Sequence, residues 1–134
     1  MNIGAGFDTL YWHLHDNNLA PQRSYYELDM KPVTERKCRI IKTKPKLHEV
    51  LGAELVIENG ELKSPSYKLL HCDLCNTTVV KEKLNTAGID HSVPTLFLAE
   101  CVFAYLPNDA AESLLRYVAS SFTTAMFIDY DPIR

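Results

Sequence analysis

The sequence predicts an α/β fold, a mostly parallel sheet with helices on both faces. Short apolar runs alternate with amphipathic stretches of helical length, the signature of repeated βαβ units. Pro94–Ala99 (PTLFLA) is apolar throughout, as expected of a strand buried on both faces. Ala111, Leu114, Leu115, Val118 and Phe122 mark one apolar stripe on the helix that should follow it, Pro107 to Phe122. The 134 residues are one domain's worth, and 46% hydrophobic with 23% charged residues is a folding composition.

The elements follow in order. Met1–Ile3 is the end of a strand that feeds the turn Gly4-Ala5-Gly6, and Thr9 to Asn18 reads as a helix stopped by Asn17-Asn18. Ser24 to Leu28 is an aromatic strand ending at Asp29. Pro32 suits a helical first turn, and Val33, Lys37, Ile40 and Ile41 carry helical spacing up to Lys44-Pro45. The pattern then loosens over 48–65, read as an inserted hairpin or irregular excursion with Asn59-Gly60 as its turn. Tyr67 to His71 is the next strand, Val79 to Ala87 a helix closed by Gly88, and Ala125 to Ile128 the last strand. The whole of 1–134 is thus one domain with an insertion at 48–65.

Charge and cysteine usage narrow the function classes. A formal net charge of −3 gives no global basic field, so neither nucleic acid nor an anionic membrane is the expected partner. Seven positive residues between Lys31 and Lys46 face the single acid Glu35. That run reads first as a solvated helix face with a basic loop, and otherwise as a docking patch for an acidic partner. No apolar run approaches the ~18 residues of a membrane span, and the start lacks the regions of a signal peptide. Cys38, Cys72, Cys75 and Cys101 do not form a disulfide framework, and the expected compartment is the cytoplasm. Cys72 and Cys75 form a CxxC without the second ligand pair that a structural zinc needs, so no metal is expected. His13 and His15 are read as surface histidines, and Tyr11, Trp12, Tyr25 and Tyr26 as core.

Four strands end at or beside an acid: Asp29, Asp73, Glu100 and Asp129. The carboxyl ends of parallel strands form the ligand-binding edge of an open sheet, so these acids are expected to converge on one crevice. Glu100 directly follows an apolar strand, where burial would demand a cationic partner such as a ligand amine. Gly4 and Gly6 let a ligand approach the backbone, but the third glycine of a dinucleotide turn is missing and Asp8 would repel a pyrophosphate. Asp29, 25 positions beyond Gly4, stands where two ribose hydroxyls would be held, with Glu27 as the inferior alternative. A nucleoside pocket without phosphate binding suits S-adenosylmethionine.

The segments NIGAGFDTLYWHL, YYELDM, HCDL and PTLFLAECVFAYL closely resemble those of the leucine carboxyl methyltransferase family. These enzymes methylate the C-terminal leucine carboxylate of type-2A protein phosphatase catalytic subunits, and the resemblance runs over nearly all of the chain. It implies a Rossmann-like class I S-adenosylmethionine-dependent methyltransferase fold, truncated at both ends, with the phosphatase C-terminus as partner. It implies further that Gly4 and Gly6 approach the methionine part of the cofactor, that Asp29 holds the ribose, that Asp73 and Leu74 meet the adenine, and that Glu100 faces the methionine amino group. Tyr105 would lie near the substrate. The resemblance assigns no catalytic acid or base. Basic residues that the family uses upstream of the glycine turn have no counterpart here, so the expectation is a partial chain that binds S-adenosylmethionine weakly and transfers little or no methyl alone. The alternatives are a carboxyl methyltransferase of transfer-RNA wybutosine synthesis, which shares these blocks, and a non-catalytic S-adenosylmethionine-binding module.

Overall fold

The structure, a computed structural model, describes residues 1–132. In chain order the elements are β1 (Asn2–Ile3), α1 (Leu10–Asp16), β2 (Tyr25–Asp29), α2 (Lys31–Thr43), α3 (Pro45–His48), β3 (Val56–Glu58), β4 (Glu61–Lys63), β5 (Tyr67–His71), α4 (Thr77–Thr86), β6 (Thr95–Glu100), α5 (Asn108–Ser121) and β7 (Ala125–Tyr130). Short 3₁₀ turns occupy Glu49–Leu51 and Phe103–Tyr105. The architecture is α/β with mostly parallel strands, as expected. The chain divides into two compact units: Ala5–His71, and Met1–Gly4 together with the residues from Cys72 on.

In the unit Ala5–His71 the strand order is β3-β4-β5-β2. β2 and β5 pair in parallel from Tyr25↔Tyr67 to Asp29↔His71, while the β3–β4 and β4–β5 pairs are antiparallel. The hairpin expected at Asn59-Gly60 is present, with both residues at positive φ (51° and 75°), the backbone that a two-residue primed turn demands. The core gathers Tyr11 and Trp12 of α1, Tyr25, Cys38 and Ile41 of α2, Leu51, Leu62, Tyr67 and Leu69. Its aromatic members also satisfy their polar ends: Trp12 Nε1 donates to the Leu47 carbonyl (2.9 Å) and the Tyr11 hydroxyl to Ser66 Oγ (2.9 Å). Helical structure resumes directly after Lys44 as α3, because Pro45 starts a helix as readily as it ends one. His13 and His15 are exposed.

In the other unit β1, β6 and β7 are parallel neighbours, with β6 and β7 in register from Thr95↔Ala125 to Glu100↔Tyr130. Two expectations are corrected here. β6 is not buried on both faces: Phe97 and Ala99 are buried, whereas Leu96 is 49% exposed and faces the same side as exposed Met126 and Ile128. Phe97 packs edge-on against Phe122 (5.0 Å between ring centres), so α5 and its C-terminal cap cover one side of the strand. The buried face of α5 is Ala110, Leu114, Tyr117 and Val118, with Leu115 outward. Tyr117 displaces Leu115 because its ring is apolar and its hydroxyl reaches His91 Nε2 (3.1 Å). α4 starts earlier than its apolar periodicity, at Thr77, since the Asn76 side chain accepts from the Val79 N–H (3.3 Å) and caps it.

Candidate functional site

The glycine turn is built by local hydrogen bonds within the unit Ala5–His71. Gly6 has a φ of +51°, a left-handed backbone that costs an L-residue energy. That conformation aims the Gly6 N–H at Asp29 Oδ2 (2.7 Å), while Asp29 Oδ1 accepts from Met30 N–H (2.7 Å). The Ala5 N–H donates to the Leu28 carbonyl (3.1 Å), so the end of β2 grips the turn at two successive residues. Asp29 is partly exposed, and its carboxylate, with about four lone-pair sites, still has acceptor capacity for ribose hydroxyls. Asp8 Oδ1 accepts from the Leu10 N–H (2.9 Å) at the first turn of α1. A carboxylate therefore sits where a pyrophosphate would seek helix N–H groups, which agrees with a ligand lacking phosphates.

Glu27 is excluded as a ribose ligand by its burial. Its side chain is 0% exposed, and Oε2 accepts from Lys37 Nζ (2.5 Å) and the Tyr67 hydroxyl (2.7 Å). Burial pushes the Glu27 carboxyl above its usual range against the opposing pull of Lys37, and burial followed by the Glu27 charge pushes the Tyr67 hydroxyl well up. Lys37 thus leaves the basic run, whose remaining members Lys31, Arg36, Arg39, Lys42, Lys44 and Lys46 are exposed. Sequence reasoning missed this ion pair. Its available signal was Lys37 in the same helical stripe as Thr34, Cys38 and Ile41, all buried.

The other unit places the remaining candidates. Gly4 has a φ of +67°, and Val102, two residues beyond Glu100, packs against it. In HCDL, Leu74 is buried and Asp73 exposed; Asp73 Oδ1 accepts from the Cys75 N–H (2.9 Å). Cys72 is buried and Cys75 exposed, and among the described residues no group of three His, Cys, Asp or Glu side chains can hold a metal. Glu100 is exposed, so burial does not dictate its partner, contrary to the argument from its strand. The chain turns sharply after it at Cys101 (φ +54°), whose N–H donates to the Tyr130 carbonyl (2.9 Å). Tyr105 is 80% exposed on its 3₁₀ turn, which Asp131 Oδ2 holds by accepting from the Ala104 N–H (2.9 Å). Asp129 pairs in register with Ala99, so strand alternation sets it on the face opposite Glu100, and these two acids do not share one side.

The residues of each unit fit parts of a cationic nucleoside. In the unit Ala5–His71, Gly6 without a Cβ and the Asp29 carboxylate with open acceptor sites suit hydroxyl groups and disfavour phosphate; in the other, the exposed carboxylates Asp73 and Glu100 would favour a positive group.

A family model for leucine carboxyl methyltransferase matches residues 1–119. The chain is 37% identical over 135 residues to a leucine carboxyl methyltransferase 1 homolog of Arabidopsis thaliana, covering 99% of this chain and 40% of that protein. It is 36% identical over 138 residues to leucine carboxyl methyltransferase 1 of Rattus norvegicus, covering 99% and 41%. It is also 34% identical over 140 residues to tRNA wybutosine-synthesizing protein 4 of Homo sapiens, covering 100% of this chain and 20% of that protein. The chain spans about two fifths of the length of the leucine carboxyl methyltransferases it matches. Over that span, the chain belongs to the leucine carboxyl methyltransferase family.

Proposed function

We propose that this chain carries S-adenosylmethionine-binding residues of a carboxyl methyltransferase whose substrate is the C-terminal leucine of a type-2A protein phosphatase catalytic subunit. The observation that carries the cofactor reading is the hold of Asp29 on the Gly6 N–H (2.7 Å), which sets a ribose-type carboxylate beside a glycine turn closed to phosphate. In this reading Asp29 accepts the ribose hydroxyls, Asp73 and Leu74 flank the adenine, and Glu100 pairs with the methionine amino group. Gly4 and Gly6 present bare backbone to the methionine chain, and Tyr105 lies on the substrate side.

When bound, S-adenosylmethionine supplies a methyl group made electrophilic by its sulfonium. A C-terminal carboxylate, with a reference pKa of about 3.5, is already ionised at neutral pH and needs no general base. The protein's task is to orient and to exclude water, which is why no acid–base residue is assigned. Calorimetric titration tests the binding step: weak S-adenosylmethionine binding with no NAD binding is expected, and NAD binding of equal strength would overturn the reading. Radiolabelled methyl transfer to a phosphatase C-terminal peptide is expected to be slight or nil with this chain, which spans about two fifths of its relatives' length; robust turnover would overturn that expectation. The human relative supports a second reading, a wybutosine-type transfer-RNA substrate. Methylation of a wybutosine-precursor transfer RNA in preference to the peptide would favour it.

A further inference from the structure

Lys37 is 4% exposed on α2, and its Nζ makes two contacts: Glu27 Oε2 (2.5 Å) and the backbone carbonyl of Asp8 (2.7 Å). A buried ion pair is a poor device for stability, because desolvation offsets its attraction and an apolar pair of similar volume often serves as well. An apolar side chain cannot donate to the Asp8 carbonyl. Glu27 and Asp29 lie two apart on β2, so both side chains leave the same face of the strand. Asp29 holds the glycine turn at Gly6 directly, and Glu27 holds it at Asp8 through Lys37. The turn is therefore clamped at both ends by carboxylates of one strand. The Asp8 side chain, fixed on the Leu10 N–H (2.9 Å), is carried by that same backbone.

We propose that Lys37, braced by Glu27 and Tyr67, is a positioning residue that sets the backbone of the glycine turn for S-adenosylmethionine. The ligand half of this proposal rests on the cofactor reading above; the clamp itself does not. The decisive variant is the double change Glu27→Gln with Lys37→Met, which removes both charges together, keeps an acceptor for Tyr67 and abolishes the donation to Asp8. Hydrogen exchange without ligand is expected to run at least about tenfold faster at the Gly6 and Asp8 amides, with β5 (Tyr67–His71) unchanged within about twofold. Unchanged turn amides, or uniform acceleration across the unit, would overturn the clamp.

Calorimetry with S-adenosylmethionine is expected to give at least a tenfold weaker Kd for the double variant. An unchanged Kd beside faster turn exchange would overturn the ligand half. If the unaltered chain takes up no S-adenosylmethionine, the cofactor reading falls and the exchange result still decides the clamp. Tyr67→Phe, which leaves the Lys37–Asp8 contact in place, is expected to keep turn exchange within about twofold; an effect equal to the double variant's would overturn the assignment to Lys37. Should the double variant not fold, Lys37→Arg keeps the buried charges balanced and is expected to loosen the same two amides, with no change there counting against the clamp.

Discussion

Val102 fills the space that a side chain on Gly4 would need: a Cβ there would lie 2.5 Å from Val102 Cγ2 and 3.4 Å from Cγ1. Val102 is buried, so it cannot swing away, and the Gly4 backbone already has a φ of +67°. Gly4→Ala should lose about 1–2 kcal/mol to backbone strain and a further ~1–3 kcal/mol to overpacking. Gly60 has a similar φ (+75°), but its intruder would be Glu35, an exposed flexible side chain. Gly60→Ala should therefore cost the strain and a smaller penalty for turning Glu35 aside. Urea unfolding of both variants checks the order, and Val102→Ala in the Gly4→Ala background should recover part of the loss. Equal destabilisation at the two glycines would contradict it.

Asp29→Ala removes the acceptor of two backbone N–H groups, Gly6 and Met30. S-adenosylmethionine affinity should fall at least tenfold, or about 1.4 kcal/mol. Asp29→Asn keeps one acceptor oxygen and should fall between Ala and the unaltered chain. Calorimetry on the three proteins decides, and an Ala variant that binds as tightly as the original removes Asp29 from the site.

Stability should depend on pH through Glu27, whose carboxyl is held above its ordinary value of 4.5, chiefly by burial. Above its raised value the folded chain carries the cost of a buried carboxylate. As pH falls through that value toward 4.5, the folded chain takes up a proton before the unfolded chain does, so this group's contribution to stability rises and then levels off. The Glu27→Gln/Lys37→Met variant lacks this contribution. Denaturant midpoints of both proteins between pH 7 and about 4.5 should differ in slope, the original gaining relative to the variant on acidification. Parallel profiles would refute the sign.

Thiol labelling should divide the four cysteines. Burial, with the Glu61 and Glu35 charges adding to it, pushes the Cys38 thiol up to about 11, and Cys72 is also buried. Cys75 and Cys101 are exposed. Iodoacetamide at pH near 8 should alkylate Cys75 and Cys101 in the native protein and reach Cys38 and Cys72 only after denaturation, since the thiolate is the reacting form. Peptide mass mapping reads the result, and native labelling of Cys38 at the rate of Cys101 would count against this packing.

Much of the fold was legible because each signal was local. Asn59-Gly60 demands its own backbone, and the run Tyr67–His71 coincides with β5. What stayed hidden depends on neighbours distant in sequence. β6 reads as doubly buried because Leu96, Leu98 and Phe97 are all apolar, yet only the covering elements decide which side is dry. Leu115 and Tyr117 compete for the inner face of α5, and the His91 partner that favours Tyr117 lies 26 residues away. At the site, the acids at strand ends marked Asp29, whose hold on Gly6 is a direct finding. Lys37 was hidden because a lysine in a basic run looks solvated; its carboxylate partner sits ten residues earlier on another element.

The bond between Asp29 and Gly6 also bears on how fast and at what thermodynamic cost a ligand is taken up. A turn already fastened to its own strand has little motion left to lose, so arrest of loop motion should add little to the entropy of association. Binding should then show a modest heat-capacity change, set by the apolar area that the ligand covers rather than by refolding of the loop. Capture should be limited by encounter, and differences in affinity among turn variants should appear mainly as faster escape.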